Sequence, residues 1–398
     1  MALQMVSLPA IYRRVESRLL ASTQAEPLLR PVMPELDTIR GIAIWMVLIF
    51  HGFYWSGSMA TLPRATRIFV YATWFGRLGV NLFFVMSGFL ITGLLLNSVA
   101  RPDYFRNFYL RRMLRILPAY YGILLILAVT RHASGPFLEM SAIHLANFAP
   151  LFGVGSSYVV LWSLAVEEHF YLIWPLMVRH LTARRLLWVS GGMLLVVPAL
   201  RAVSYLIVVR RGSEWNAAAR YTWNASDALA LGCLFALAVR EFRWNRQTTV
   251  RYALGTIVGG VLLFCAGIPF GITARHSNII GAALQEVPWN LAFAGLVALF
   301  LVLGTGKWRP LVVSSSLQFF GRISYGLYLI HYLMFDAYDA VAACYFPRLT
   351  PDAGGGGLLW VRFLTASAVA ILIAWISRET LEEFFLNQTA WVRLKLSR

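Results

Sequence analysis

The stretch LDTIRGIAIWMVLIFHGFYW, residues 36–55, is apolar over most of its length but carries Arg40 near one end and His51 near the other. About 20 consecutive apolar residues are enough for a helix to cross a lipid bilayer. Similar apolar runs recur from residue 38 to residue 377, in a chain of 398 residues that is 59% hydrophobic and 13% charged. The composition therefore predicts an all-α polytopic membrane protein.

The apolar runs predict about ten transmembrane helices. Their approximate limits are 38–57, 74–96, 113–130, 158–178, 184–209, 225–240, 250–270, 285–303, 316–338 and 358–377. The connections between them are short, so we predict one membrane domain over 35–380, with an N-terminal extension at 1–34 and a short tail at 381–398. The extension has no continuous apolar core, which argues against a cleaved signal peptide.

The net charge of +17 has to be explained together with this topology. Of the 35 basic residues, 33 are arginines, and they are scattered between apolar runs rather than gathered in a basic domain, which argues against nucleic-acid binding. If the N-terminus is cytoplasmic, 24 of the 35 fall on the cytoplasmic side, as the positive-inside rule expects. Both termini are therefore predicted to be cytoplasmic. The three cysteines (Cys233, Cys265 and Cys344) lack metal-ligand spacing, so we expect no metal site.

Arg40 and His51 are eleven residues apart. In a regular helix this spacing places the two side chains within about 20° of one another around the helix axis and separates them by roughly 16 Å along it. Polar groups inside a bilayer are costly, so two on one face indicate a pocket or path through the bundle. The alternative is that Arg40 reaches the lipid headgroups and His51 hydrogen-bonds a neighbouring helix.

Three arginines lie at the start of the third predicted span, in YFRNFYLRRMLRILPAYY. Arg111 and Arg115 share one helix face and Arg112 is displaced around the helix. Guanidinium groups near a helix N-terminus suit phosphate binding, which predicts a phosphate-binding cluster. Ordinary positive-inside charge is the alternative.

Two adjacent acids, Glu167 and Glu168, follow in VVLWSLAVEEHFYLIWPLMVR. One of them could orient His51, since a carboxylate that fixes the tautomer assists a general base. Alternatively, they stabilise a helix N-terminus or pair with Arg77.

Four further residues are predicted to bind substrate. Trp162 and Ser163 precede the two glutamates, and Tyr325 and His331 lie in GRISYGLYLIHYLMF of the ninth predicted span. An aromatic residue such as Trp162 suits the face of a sugar. His331 could contact the acceptor, although a core histidine with satisfied hydrogen bonds is the simpler interpretation.

Five motifs together resemble the acyltransferase 3 family of integral membrane acyltransferases. They are ELDTIRGIAIWMVLIFH, NLFFVMSGFLITGLLL, FYLRRMLRILPAYY, LWSLAVEEHFYLIWPL and ISYGLYLIH, in this order over about residues 35–377. The resemblance implies about ten spans in a bacterial inner membrane and transfer of an acyl group from cytoplasmic acyl-CoA, usually acetyl-CoA, to a hydroxyl of a cell-envelope glycan. It also implies that His51 is the catalytic histidine, with Arg40 as its partner and with Arg111, Arg112 and Arg115 binding the donor.

These observations lead to a functional hypothesis. His51 would remove the proton of the acceptor hydroxyl, which would attack the thioester directly, or His51 would itself carry the acyl group. The expected partners are acyl-CoA, a hydroxyl acceptor and membrane lipid, without nucleic acid or metal, and a homo-oligomer is left open. A proton-coupled secondary transporter that uses intramembrane His, Arg and Glu is the alternative function.

Overall fold

The computed structural model describes residues 28–54, 62–212, 215–273, 278–351 and 356–385, together with residues 13, 15–17 and 19. Its regular elements are helices, and no β-strand occurs within these ranges. The all-α class is therefore confirmed. Most of the N-terminal extension and most of the C-terminal tail lie outside the described residues, so their separation from the membrane domain stays a prediction.

Ten longer helices follow the ten predicted spans in order. They are α1 (Pro34–Ile49), α2 (Gly79–Ser98), α3 (Tyr104–Val129), α4 (Leu161–His180), α5 (Ala183–Arg210), α6 (Asp227–Arg240), α7 (Arg246–Gly267), α8 (Val287–Leu303), α9 (Ser315–Tyr345) and α10 (Gly356–Ser377). Shorter α-helices lie at Arg64–Thr73, Gly135–Ala142, Trp215–Ala218, Thr222–Ala225, Ile279–Leu284 and Arg309–Val312. Single turns of 3₁₀-helix occupy Trp74–Leu78, Ala146–Phe152, Ile268–Phe270 and Pro347–Leu349, and π-turns occupy Phe50–Tyr54 and Arg378–Glu382.

Seven helical stretches in the described part of the chain are long and apolar enough to cross a membrane. They contain α1, α2, α3, α5, α7, α8 and α10. The long helices α4, α6 and α9 are not among these seven stretches. The 14 residues of α6 extend only about 21 Å, less than the roughly 30 Å of a hydrocarbon core. A polytopic membrane protein is confirmed, whereas the count of ten spans and the cytoplasmic placement of both ends stay predictions.

Close helix crossings at glycine fix the helices around the site. α1 packs on α9, and a Cβ on Gly41 or on Gly321 would overlap the backbone of the facing helix. α2 packs on α6 in the same way, with Gly88 and Gly232 each against the partner's backbone carbonyl. Small residues let membrane helices approach closely and gain van der Waals contact. α1 also packs on α2, and α10 packs on both α9 and the Phe50–Tyr54 turn that follows α1.

Candidate active site

His51 lies in a π-turn rather than in a regular helix. The α-helical part of α1 ends at Ile49, and Phe50–Tyr54 continue it with π-helical hydrogen bonding. Such turns are frequent at functional sites because they re-aim side chains. Arg362 of α10 holds this turn by donating Nη1–H to the Gly52 carbonyl at 2.8 Å. The same guanidinium is 2% exposed and makes two 2.7 Å bonds to Asp339 of α9, whose side chain is 41% exposed, so this ion pair supports the backbone next to His51.

The imidazole of His51 contacts the imidazole of His331. His331 is fully buried, and its Nδ1 lies 2.8 Å from the Tyr328 carbonyl and 3.1 Å from the Leu327 carbonyl. Since carbonyls only accept, Nδ1 of His331 carries the proton and its Nε2 is an acceptor. That Nε2 lies 3.1 Å from His51 Nδ1, which also lies 3.1 Å from the Val47 carbonyl. His51 Nδ1 is therefore the donor in both contacts.

The consequence is that the other ring nitrogen of His51 carries the lone pair. Within the described part of the chain, no protein group lies within hydrogen-bond distance of this Nε2. A neutral imidazole whose Nδ1–H is held by fixed acceptors presents Nε2 as a base, as in the general logic of hydrolase triads. The arrangement can remove a proton from a hydroxyl placed at Nε2.

His51 lines a polar cavity of about 200 Å³, which we call the histidine cavity. Trp162 lines it as well. Two ion pairs belong to its lining: Arg77 with Glu286, at 2.6 Å between Nη1 and Oε1, and the buried pair of Arg201 with Asp227. Charged groups in the interior of a bundle are expected to be paired, and here the pairs surround a space large enough for a small ligand.

A second cavity of about 100 Å³, the arginine cavity, holds most of the other predicted site residues. Its lining includes Arg40, Arg112, Arg115, Glu167, Glu168 and Tyr325. Glu167 accepts from Ser87 Oγ at 2.7 Å and from Tyr171 OH at 3.0 Å. The Arg112 guanidinium lies over the Tyr171 ring, 4.6 Å from its centroid. Three arginines lie in this lining together with two glutamates, and guanidinium groups suit phosphate or carboxylate ligands.

The two cavities adjoin. Val80, Phe84 and Tyr328 line both of them, and we call these three residues the shared wall. All three are buried. The Tyr328 hydroxyl lies 2.6 Å from Ser163 Oγ, so Ser163 holds part of this wall. A molecule bound in the arginine cavity is thus separated from the cavity of His51 by three side chains.

The structure differs from the sequence analysis in the group that orients His51. His331 lies against His51, whereas Glu167 is bound to Ser87 and Tyr171, and both glutamates line the arginine cavity. In the structure the side chain in contact with the His51 ring is therefore a histidine and not one of the two predicted glutamates. Helical spacing placed the acids in the bundle, but it carried no information on which neighbouring helix they face.

Arg40 and His51 line the two adjoining cavities, Arg40 from the regular part of α1 and His51 from the π-turn. Their position on one shared helix face stays a prediction. Arg40 contacts Asp37 at 3.4 Å.

The other predicted residues divide between the two cavities. Ser163 and Tyr325 line the arginine cavity, and the Tyr325 hydroxyl donates to the Ile116 carbonyl at 2.9 Å. Arg111 lies outside its lining, since Arg112 and Arg115, three residues apart, form the face of α3 that points there. The predicted cluster therefore contributes two of its three arginines.

Two buried arginines near the site were missed in the sequence, and a third, Arg77, was considered only as a partner of Glu167 or Glu168, whereas it pairs with Glu286. Arg201 and Arg362 lie inside apolar runs at 184–209 and 358–377, where a charged residue is itself a functional signal. Arg77 lies close to the start of another run. The positive-inside argument assigned these arginines to the loops, although the structure buries Arg201 and Arg362, which are each only 2% exposed.

Fold and site together define an integral membrane protein in which a histidine lines one of two adjoining polar cavities. No group of three or more His, Cys, Asp or Glu residues in the described ranges could hold a metal ion. A model of the acyltransferase domain matches residues 33–379, and the chain belongs to this acyltransferase 3 family.

Curated relatives carry related names. The chain is 25% identical over 335 residues to the peptidoglycan O-acetyltransferase OatA of Listeria monocytogenes, covering 76% of this chain and 49% of that protein. It is 24% identical over 331 residues to the O-acetyltransferase OatA of Staphylococcus aureus, covering 75% of this chain and 50% of that protein. The chain thus spans about half the length of these relatives. No solved structure matches the chain.

Proposed function

We propose that this protein is a membrane-bound O-acyltransferase that moves an acetyl group from cytoplasmic acetyl-CoA to a hydroxyl of a cell-envelope glycan. The observation that carries the proposal is the tautomer of His51, whose basic Nε2 belongs to a cavity adjoining an arginine-lined cavity. Family membership and the names of two curated relatives support the reaction type and the acceptor class.

The donor would bind through the arginine cavity. Arg112, Arg115 and Arg40 can form charge-assisted hydrogen bonds to phosphate oxygens. At about 100 Å³ this cavity is smaller than the roughly 300 to 1,000 Å³ typical of drug-sized ligands. The pantetheine arm and thioester would therefore enter it while the nucleotide stays outside, near its mouth.

The chemistry needs one proton to move twice. His51 Nε2 takes the proton of the acceptor hydroxyl as the oxygen attacks the thioester carbon. The tetrahedral intermediate then breaks its carbon–sulfur bond, and the departing thiolate takes the proton from His51 Nε2–H. The products are the O-acetyl ester and free CoA thiol. In the alternative route, His51 Nε2 attacks the thioester carbon and the CoA thiolate leaves; the acceptor oxygen then attacks the acetyl group on His51, the bond to Nε2 breaks, and the hydroxyl proton passes to the thiolate.

The donor thioester and the acceptor hydroxyl would come together at the shared wall. The thioester has to reach His51 past Val80, Phe84 and Tyr328, since these residues lie between the two cavities. Direct transfer and the acyl-histidine route both require this approach.

Purified protein in lipid nanodiscs, mixed with acetyl-CoA and a soluble glycan fragment, tests the proposed function. We expect thiol release that depends on the glycan, with the acetyl ester found on the glycan by mass spectrometry. A proton-coupled transporter would release no thiol. Thiol release at the same rate without any acceptor, or no acetyl ester on any hydroxyl acceptor, would overturn the proposal.

A further inference from the structure

We infer that the histidine cavity is the acceptor subsite and that it takes a single sugar ring that is neutral or anionic, held by Arg77, Trp215 and Gln285. This inference rests on the proposed function and names the substrate class that the same site selects. Its evidence is a set of buried polar atoms without partners in the described ranges, the excess of donors among them and the volume of the cavity.

Polar atoms without partners point to a ligand in this cavity. Gln285 and Trp215 are each 4% exposed and line it, yet Gln285 Oε1 and Trp215 Nε1 are buried with no hydrogen-bond partner in the described ranges. Arg77 uses Nη1 for Glu286, while its Nε and Nη2 are buried and find no partner among the same residues. Buried polar groups in native proteins almost always have partners, so orphans gathered around one space indicate that something polar fills it.

The types of these atoms match a sugar. Trp215 Nε1 and the two Arg77 nitrogens are donors, whereas Gln285 Oε1 is an acceptor. A sugar hydroxyl both donates and accepts, so one ring can satisfy all of these groups. Trp162 and Trp215 add large apolar ring surfaces to the lining. Pockets of this kind, with aromatic walls and a few placed polar groups, are typical of small-molecule sites.

The unpartnered atoms of the lining disfavour a cationic ligand. Its two acids, Glu286 and Asp227, are both paired with arginines. Three of the four unpartnered atoms described above are donors, on Arg77 and Trp215. An ammonium group only donates, so it would offer these donors no acceptor, whereas the acetamido or carboxylate oxygen of an N-acetylated or carboxylated sugar would accept from them.

The cavity volume limits the ligand to one ring. About 200 Å³ is below the range of roughly 300 to 1,000 Å³ typical of drug-sized ligands. One sugar of a glycan strand would enter with its hydroxyl at His51 Nε2, and its neighbours would stay outside.

Acceptor kinetics test the inference directly. The probes are three disaccharides: di-N-acetylchitobiose, which is neutral; N-acetylglucosaminyl-N-acetylmuramic acid, which is anionic; and the glucosamine dimer, which is cationic. With saturating acetyl-CoA and the full chain in nanodiscs, we expect kcat/KM of the cationic dimer to be the lowest. Preferred use of the glucosamine dimer would overturn the inference.

Two conservative variants locate the site. Trp215→Phe removes the ring N–H donor and Gln285→Ala removes the acceptor, and each should raise the KM of the preferred disaccharide by about 2- to 12-fold, the value of one hydrogen bond. The KM of acetyl-CoA should stay unchanged, which shows that the protein is folded. Trp188→Phe is the matched control, because Trp188 is 75% exposed and lies outside this lining.

The outcomes separate the two proposals. If wild-type protein acetylates the disaccharide but both variants keep the wild-type acceptor KM, the sugar subsite is wrong and the acyltransferase function stands. If no acceptor gives thiol release, the proposed function fails, and the inference about its acceptor falls with it.

Discussion

The contact between His331 and His51 predicts that His331 positions the catalytic imidazole without itself touching the substrate. His331→Phe keeps an aromatic ring in a fully buried position but removes the acceptor 3.1 Å from His51 Nδ1. His51 would retain the Val47 carbonyl as its only fixed acceptor in the described structure. The ring would then be held less firmly in the orientation that presents Nε2.

The size of the effect follows from one buried hydrogen bond. Leaving a buried donor with a poorer partner costs about 1 to 3 kcal/mol. If that cost falls on the transition state, kcat should drop by about 5- to 150-fold, since 1.36 kcal/mol corresponds to a factor of ten. His331→Gln offers an amide oxygen as a substitute acceptor and should lose less than His331→Phe.

The assay is glycan-dependent thiol release in nanodiscs, with KM and kcat determined separately for both substrates. We expect kcat to fall while the KM of acetyl-CoA is unchanged, because the arginine cavity is untouched. His132→Phe is the control: it removes the 3.0 Å bond to Asp336, also on α9, without contacting His51. A wild-type kcat in His331→Phe, or an equal loss in the control, would refute the positioning role.

Three further predictions follow from the same geometry. Arg362→Lys keeps the charge but cannot make both bonds to Asp339 together with the bond to the Gly52 carbonyl, so it should lower both kcat and the thermal midpoint. The expected loss of stability is about 1.5 to 3 kcal/mol, the value of one hydrogen bond to a charged group. Unchanged values of both would show that the π-turn does not depend on Arg362. Arg115→Glu should raise the KM of acetyl-CoA with little change in kcat, and an unchanged KM would leave this residue a topology role only. Gly88→Ala should lower the free energy of unfolding by about 1 to 3 kcal/mol, because the added Cβ meets the backbone of α6. Gly122→Ala is the control and should not destabilise the protein, since the space around its Cβ is open. Equal effects of the two substitutions would contradict the close crossing of α2 and α6.

Much of the fold could be predicted from apolar periodicity and length. The run at 358–377 became α10 at Gly356–Ser377, and the short run at 225–240 became α6 at Asp227–Arg240. These limits are local properties of the sequence, since a lipid-facing or buried helix needs a continuous apolar stretch. The role of α6 as a span could not be settled in the same way, because its 14 residues are too few to cross a bilayer unaided.

The site was harder to predict because its contacts are not local. His51 and His331 are 280 positions apart, and no spacing rule connects them. The π-turn at Phe50–Tyr54 also escapes helical periodicity, which assumes one constant rotation per residue. As a result, the sequence identified His51 and the arginine cluster but assigned the orienting role to the glutamates.

Replacing His51 with Ala tests the central claim most directly. In single-turnover reactions with labelled acetyl-CoA and glycan, wild-type protein should place label on the glycan, and His51→Ala should place none while binding acetyl-CoA with wild-type affinity. Label on the glycan at the wild-type rate in His51→Ala would contradict the account, since His51 is the only histidine in the described lining of the histidine cavity.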